Sequence, residues 1–292
     1  MIESIITDQI DANFEKACRI IADSGMKAIE IHNVFGKSIE ECNESEAHRI
    51  KDIADSFGLQ IVNLASTVFF LYPLYEGYRV SLFNPDFYCI EGDVNLHLEY
   101  LEQACRTAEI VGTDKIRIFP FRIPDNEEVG IVGTEKDMLE IADNIRLASA
   151  IAAKHNITLV LENCPYSHCP KAAMTQRLLR MADCFNVKLL YDPANSYRAE
   201  KFRVPEEWQT DDIPAEYHLV KNDIGHIHLK NYHYQKELMP KPFVHTALLS
   251  GDIDYIPLLE EMKKESAALS LEPEVSHEEA VDCIKQLLSA VN

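Results

Sequence analysis

Along this chain, short runs of β-branched and apolar residues alternate with longer stretches in which apolar positions recur every three or four residues. Read as strands, the short runs fall at residues 4–7, 28–32, 60–64, 115–119, 158–162, 188–191, 226–229 and 268–272. Helical spacing occupies 12–24, 44–57, 96–111, 135–155, 172–184, 256–265 and 276–291, with a less sharply patterned helix within 199–219. The runs 157–161 and 187–190 are nearly all apolar or β-branched, as strands buried on both faces are. Gly25, Gly58 and Gly112 each stand between a helical pattern and the next strand, where a left-handed residue ends a helix at little cost. Strands separated by helices of this length pair in parallel through crossover connections, and eight such units close a barrel.

The expected fold class is therefore α/β, a (β/α)₈ TIM barrel, in a single domain spanning residues 1–292. An open doubly wound sheet is the competing arrangement. It normally carries a glycine fingerprint after strand 1, and Ile6-Thr7-Asp8-Gln9 has none. No shift of composition and no linker marks a domain boundary. Two stretches lack periodicity: 66–93, rich in aromatics with Pro73 and Pro85, and 231–252, with Pro240 and Pro242. They follow strands 3 and 7 and read as long loops, which usually form the rim or lid of a site.

Composition narrows the partners. The 292 residues carry 28 basic and 48 acidic side chains, a formal charge of −20. Such a field repels phosphate backbones and anionic membranes, so neither nucleic acid nor membrane is an expected partner. A small anionic substrate stays admissible, because a bound metal ion reverses the local sign. The eight cysteines include no CxxC pair, which argues against a zinc knuckle or a redox motif. The N-terminus has no basic stretch followed by an apolar core, and no apolar run approaches the roughly 20 residues that span a bilayer. A cytoplasmic protein with free thiols is the economical reading.

In a barrel the C-terminal ends of the strands converge on one face, where active sites form. Strands 5 to 8 end in Leu161-Glu162-Asn163, Tyr191-Asp192-Pro193, His228-Leu229-Lys230 and Leu271-Glu272-Pro273. Glu162, Asp192, His228 and Glu272 thus follow one another at intervals of 30, 36 and 44 residues, each close to one βα repeat. Adjacent strands lie about 4.8 Å apart, so four side chains at one height suit a single cation. Three carboxylates and an imidazole favour Mn²⁺, Mg²⁺, Co²⁺ or Zn²⁺ over a thiolate-seeking metal. Taken singly, each residue reads equally well as a helix cap or half of an ion pair. Their repetition on four successive strands is what favours the metal.

The blocks Ile157-Thr-Leu-Val-Leu-Glu-Asn163, Leu190-Tyr-Asp-Pro-Ala-Asn195, Gly225-His-Ile-His-Leu-Lys-Asn231, Gly251-Asp-Ile-Asp-Tyr255 and Leu269-Ser-Leu-Glu-Pro-Glu274 resemble the xylose isomerase-like TIM barrels. That family includes sugar-phosphate isomerases and epimerases, inosose dehydratases, ketose 3-epimerases and endonuclease IV. The resemblance runs from about residue 28 to the C-terminus and is sharpest from 157 to 274. It implies Glu162, Asp192, His228 and Glu272 as ligands of one divalent metal ion, and Glu162 and Glu272 as the catalytic acid/base pair. The implied reaction is isomerisation or epimerisation of a sugar or sugar phosphate, by proton abstraction next to a carbonyl through a metal-stabilised enediolate. An inosose-type dehydratase would use the same site to expel a β-hydroxyl, and a non-catalytic sugar-binding barrel would keep the site without the reaction. No dinucleotide fingerprint, P-loop or cofactor-lysine motif is present, so no organic cofactor is expected.

Two departures qualify the resemblance. Asn195 stands three residues after Asp192, where many ketose epimerases carry histidine. An amide cannot titrate, so Asn195 is expected to orient a sugar hydroxyl. The three-metal cluster of endonuclease IV needs further histidines on earlier strands, and residues 63–69 and 118–121 hold none.

Other candidates follow from strand parity. His32 shares a face with Glu30 and is expected to contact substrate, the alternative being a core histidine. Arg117 is a candidate for binding a phosphate or carboxylate, or for pairing inside the barrel with Glu30 or Glu162. Lys230, two residues past His228, points the same way and suits an oxyanion or an anionic substrate. Cys164 and Cys169 bracket His168 at a spacing that fits no zinc knuckle, so they read as reduced thiols. The aromatics of 69–87 and Trp208 suit a hydrophobic lid over a small carbohydrate or polyol, or the contact of a homo-oligomer.

Overall fold

Eight parallel strands form the barrel: β1 (Ile2–Ile5), β2 (Ala28–Ile31), β3 (Gln60–Leu64), β4 (Lys115–Ile118), β5 (Thr158–Glu162), β6 (Val187–Tyr191), β7 (Ile224–Leu229) and β8 (Ala268–Leu271). The structure is a computed structural model that describes residues 1–82, 87–210, 212–264 and 267–291. The strands hydrogen-bond in the order β1-β8-β7-β6-β5-β4-β3-β2. One parallel bridge between Ile6 and Glu30 spans the remaining gap between β1 and β2. This is a TIM barrel, as the alternation of strand and helix predicts.

The surrounding helices are α1 (Phe14–Asp23), α2 (Glu44–Ser56), α3 (Val94–Val111), α4 (Glu135–Lys154), α5 (Ala172–Ala182), α6 (Ile213–Val220), α7 (Tyr255–Met262) and α8 (His277–Val291). Their starts have local causes. Asn43 and Thr134 open α2 and α4 with reciprocal capping boxes through Glu46 and Asp137. Gly112 ends α3 at φ 82, a left-handed conformation that costs glycine no Cβ clash.

Several boundaries differ from the expected ones. β1 begins two residues early, because Thr7 already opens a 3₁₀ turn (Thr7–Gln9). The helix expected within 199–219 is α6, which begins at Ile213 and runs one residue past that window to Val220. An additional short helix, Pro193–Arg198, starts directly at Asp192, whose Oδ1 accepts from the Asn195 backbone amide at 2.9 Å. The stretch 231–252 is not a plain loop: Asn231–Tyr234 and Phe243–Thr246 pair as an antiparallel hairpin. Its alternation buries Tyr232 against Phe243 and His245, with ring centroids 5.8 and 4.5 Å away. The seventh helical pattern ends at Met262, and Glu265, like Pro85, lies outside the described residues. Between Ser66 and Asp93 the described residues form no helix or strand.

The alternation of side chains splits the strands into two faces. Ile29, Ile31, Leu159, Leu161, Leu189, Ile227 and Leu271 join the apolar core. The other parity is polar and equally buried. Ser4 and Ser270 hydroxyls meet at 2.7 Å, Asn63 donates to Glu30 Oε1 at 2.7 Å, and His226 Nε2 lies 2.8 Å from Glu30 Oε2. A buried network of this kind is stable only when its members are mutually satisfied. Among the described residues no helix is long and apolar enough to cross a membrane, and the eight cysteines are free.

Candidate metal centre

Sheet register brings the strand-end residues together. Glu162 lies opposite Leu190, Tyr191 opposite Ile227, and His228 opposite Ser270. Continuing each strand by one or two residues sets Asp192 and Glu272 beside Glu162 and His228, a stagger that follows from the tilt of barrel strands. One ligand-capable atom from each of Glu162, Asp192, His228 and Glu272 lies within 4.8 Å of the other three. All four are buried or nearly so, Glu272 being the most exposed at 9%.

Two atoms of this cluster argue for a cation. Asp192 Oδ2 and His228 Nδ1 are buried with no hydrogen-bond partner among the described residues. Asp192 is held rigidly all the same. Its backbone N–H donates to Asn163 Oδ1 at 2.9 Å, its carbonyl accepts from Asn163 Nδ2 at 2.8 Å, and its Oδ1 caps the short helix. The helix-cap reading is therefore true of one oxygen and leaves the other aimed at the cluster. His228 is oriented from behind, with Nε2 3.0 Å from Glu30 Oε1 and Nδ1 3.6 Å from Glu272 Oε2. A carboxylate on the far nitrogen of a ligating imidazole fixes its tautomer and raises its basicity. The donor set is hard and anionic, which fits a divalent ion that prefers oxygen and imidazole.

Two cations brace the carboxylates. Arg117 Nη1 donates to Glu162 Oε2 at 3.1 Å and Glu272 Oε1 at 3.3 Å, and its other nitrogens donate to the carbonyls of Ser66 and Ala65. Lys230 Nζ reaches Glu272 at 2.6 Å and both Asp192 and Glu274 at 3.1 Å. Burial raises Glu162 to about 7 and also raises Asp192. For Glu272 burial pushes up, but Lys230, His228 and Arg117 outweigh it and hold the carboxyl well below its usual range. Against the cost of burial, Glu30 and Glu272 lift His228 to about 10.

The remaining expected residues sort by what they touch. Arg117 takes the ion-pair role inside the barrel, with Glu162 as expected and with Glu272 in addition, and also lines the cavity described below. Asn195 donates to Glu162 Oε1 at 2.9 Å and to the Asn163 carbonyl at 3.0 Å, so its amide positions a ligand carboxylate. His32 sits on the opposite wall, Nδ1 3.4 Å from Asp8, with its ring 4.3 Å from that of Phe87 and Nε2 unpartnered among the described residues. His168 faces Asp137 at 3.8 Å rather than Cys164 or Cys169. Parity alone did not reveal the Glu30–His226–His228 group behind the cluster, although the i,i+2 spacing of the two histidines was the available signal.

Above the cluster lies a cavity of about 1330 Å³. Its walls come from both aperiodic stretches, through Phe70 and Phe87 on one side and Tyr232, Phe243 and His245 on the other. Gly251 lets the second wall close: a Cβ there would lie 2.3 Å from the Asn231 side chain, whose amide ties the hairpin to the carbonyls of Leu248 and Ile253. A smaller cavity of about 460 Å³ lies at the opposite end of the barrel, among the strand starts Ile2, Gln60, Lys115 and Ala268, away from the cluster.

Fold and site together define a TIM barrel with one carboxylate–histidine cluster at the mouth of its strands. The chain belongs to the xylose isomerase-like TIM barrel family, whose model matches residues 18–288. No curated protein matches the sequence. Among solved structures it is similar to the probable 3-DHS dehydratase AsbF of Bacillus anthracis, at 18% identity and TM-score 0.70 over 100% of this chain and 99% of that one. It is also similar to D-psicose 3-epimerase of Clostridium cellulolyticum H10, at 12% identity and TM-score 0.73 over all of both chains. A third is the IOLI protein with a bound zinc atom, at 17% identity and TM-score 0.65 over 100% of this chain and 98% of that one. At these identities the likeness is one of fold.

Proposed function

We propose that this protein is a divalent-cation-dependent isomerase or epimerase of a small sugar, sugar phosphate or polyol. The observation that carries the reading is the convergence of Glu162, Asp192, His228 and Glu272. Within it Asp192 Oδ2 and His228 Nδ1 make no hydrogen bond among the described residues and face the ion-pair partners Lys230, at 3.1 Å, and Glu272, at 3.6 Å. The family includes enzymes of this chemistry, and the zinc atom in the similar IOLI structure is consistent with a cation here. A bound divalent cation would polarise a carbonyl and its neighbouring hydroxyl and so acidify the C–H between them.

The chain's own residues supply the rest. Arg117 bridges Glu162 and Glu272 and keeps the two carboxylates in fixed relation. One of them takes a proton from the carbon next to the carbonyl and the other returns one, from the same or the opposite face. Asn195 fixes Glu162 Oε1, Lys230 balances the charge of Glu272, and His32 offers an imidazole to a substrate hydroxyl across the cavity. The aromatic walls exclude water from the exchanging proton.

A dehydratase is the second reading, raised by the likeness to a probable dehydratase. One carboxylate of the pair would take the same proton and the other would give one to a departing β-hydroxyl, which leaves as water. Incubating the manganese-loaded protein with ketoses and inososes in D₂O separates the readings. Carbon-bound deuterium without loss of water supports the isomerase or epimerase, and a dehydrated product supports the lyase. Absence of both, with cation and sugar bound, would leave a binding barrel.

A further inference from the structure

Arg198 closes the short helix that Asp192 opens, and its guanidinium lies in the cavity wall among neutral partners. Nη1 donates to the Tyr232 hydroxyl at 3.4 Å and Nη2 donates to the Tyr166 hydroxyl. Its Cζ stands 5.0, 5.5 and 5.9 Å from the ring centroids of Tyr166, Tyr232 and Phe243. Among the described residues no carboxylate comes within ion-pair distance of it. Glu274 is the acidic group whose field reaches Arg198, and its two oxygens are held by Lys230 at 3.1 Å and His245 at 3.3 Å.

A second guanidinium shares the same ring. Arg122 is 2% exposed, lines the cavity, and lies 5.2 Å over Phe70 and 5.6 Å over Tyr166. Tyr166, Arg198 and Tyr232 follow β5, β6 and β7, three of the strands that deliver the metal-type ligands, and Arg122 follows β4. The loops that leave the cluster therefore build the wall above it. Arg198 is half-buried and stands among neutral partners in a chain of net charge −20, where acidic side chains are in excess. Arginine forks suit planar anions, and the two tyrosine hydroxyls can turn to donate to the same group.

We propose that Arg198 and Arg122, with the hydroxyls of Tyr166 and Tyr232, form a subsite for an anionic group of the substrate, a carboxylate or a phosphate. The substrate is then an acidic sugar derivative, not a neutral sugar. This rests on the reading of the cavity as the substrate site and is tested apart from the cation. Calorimetric titration compares gluconate and ribulose 5-phosphate with their neutral counterparts sorbitol and ribulose, and the two anions distinguish a carboxylate from a phosphate. At least one anion is expected to bind about tenfold or more tightly than its neutral counterpart. Arg198→Gln and Arg122→Gln should each erase that preference, and Arg198→Lys should restore part of it.

Manganese binding is titrated separately on the same proteins. Failure of manganese to bind, with the anion preference intact, defeats the proposed reaction and leaves the subsite standing. Equal affinity for anionic and neutral ligands in the parent protein overturns the subsite. So does a preference that survives in a folded Arg198→Gln variant.

Discussion

His228 sets its Nε2 3.0 Å from Oε1 and 3.1 Å from Oε2 of Glu30, and so commits that nitrogen to the barrel interior and Nδ1 to the cluster. Glu30 also holds His226 at 2.8 Å and accepts from Asn63 at 2.7 Å, so its own position is over-determined. Removing the charge of Glu30 leaves all four proposed ligands in place but lowers the basicity of the imidazole. Glu30→Gln is expected to weaken cation binding by about 10- to 100-fold. Isothermal titration with Mn²⁺ measures this, and an unchanged affinity would refute the orienting role.

Glu162→Gln and Glu272→Gln each remove one member of the proposed acid/base pair while keeping its shape. Each is expected to lower carbon–deuterium exchange by about 10²-fold or more at saturating cation. The comparison is made at saturation because both residues are also proposed ligands. Exchange at the parental rate in either folded variant would exclude that residue from proton transfer.

A cation that binds only the folded chain stabilises it by mass action. At a free concentration 100 times Kd the gain is about 2.7 kcal/mol. Thermal unfolding should therefore shift upward with added Mn²⁺ and return with a chelator, and Asp192→Asn should abolish most of the shift. A rise of equal size in Asp192→Asn would place the stabilising cation elsewhere.

His97 gives a pH dependence away from the cluster. It is fully buried, Nδ1 accepts from the Phe69 amide at 2.9 Å, and burial pulls its pKa down from 6.5 to about 4. Between those values the unfolded chain binds more protons, so stability rises with pH and is lost as pH falls from about 6.5 toward 4. The loss attributable to this residue is up to about 3 kcal/mol. His97→Gln keeps an acceptor for the Phe69 amide and should flatten that part of the profile in urea unfolding at stepped pH. An unaltered slope would show that His97 does not titrate as its burial requires.

The barrel and its cluster are largely readable from the chain because both repeat. The bounds of β3 and β5 match the apolar runs residue for residue, since Gln60 and Thr158 mark where burial begins. Glu162, Asp192, His228 and Glu272 recur at one βα interval, and a parallel register converts that recurrence into proximity. What stayed hidden depends on contacts across the barrel. Strand parity shows that Glu30 faces inward but not that it meets β7 on the far side. Arg117 likewise shows its charge in the sequence but not its shared grip on Glu162 and Glu272. Arg122 lies on an aperiodic segment and Arg198 ends a helix of 6 residues, too short to show a period, so neither pattern reports which way the side chain turns. The hairpin of residues 231–246 is masked by its mixed aromatic and histidine content, which suits a loop as well as a strand.

The central claim is that Glu162, Asp192, His228 and Glu272 hold one divalent cation. Its most direct test is equilibrium dialysis of the full chain against Mn²⁺, Co²⁺ and Zn²⁺ with metal content read by mass spectrometry, repeated on folded Asp192→Ala and His228→Ala variants. The account predicts close to one tightly bound ion per parent chain and its loss in both variants. No tight binding of any of these ions by the parent, or the same stoichiometry in both variants, would contradict it.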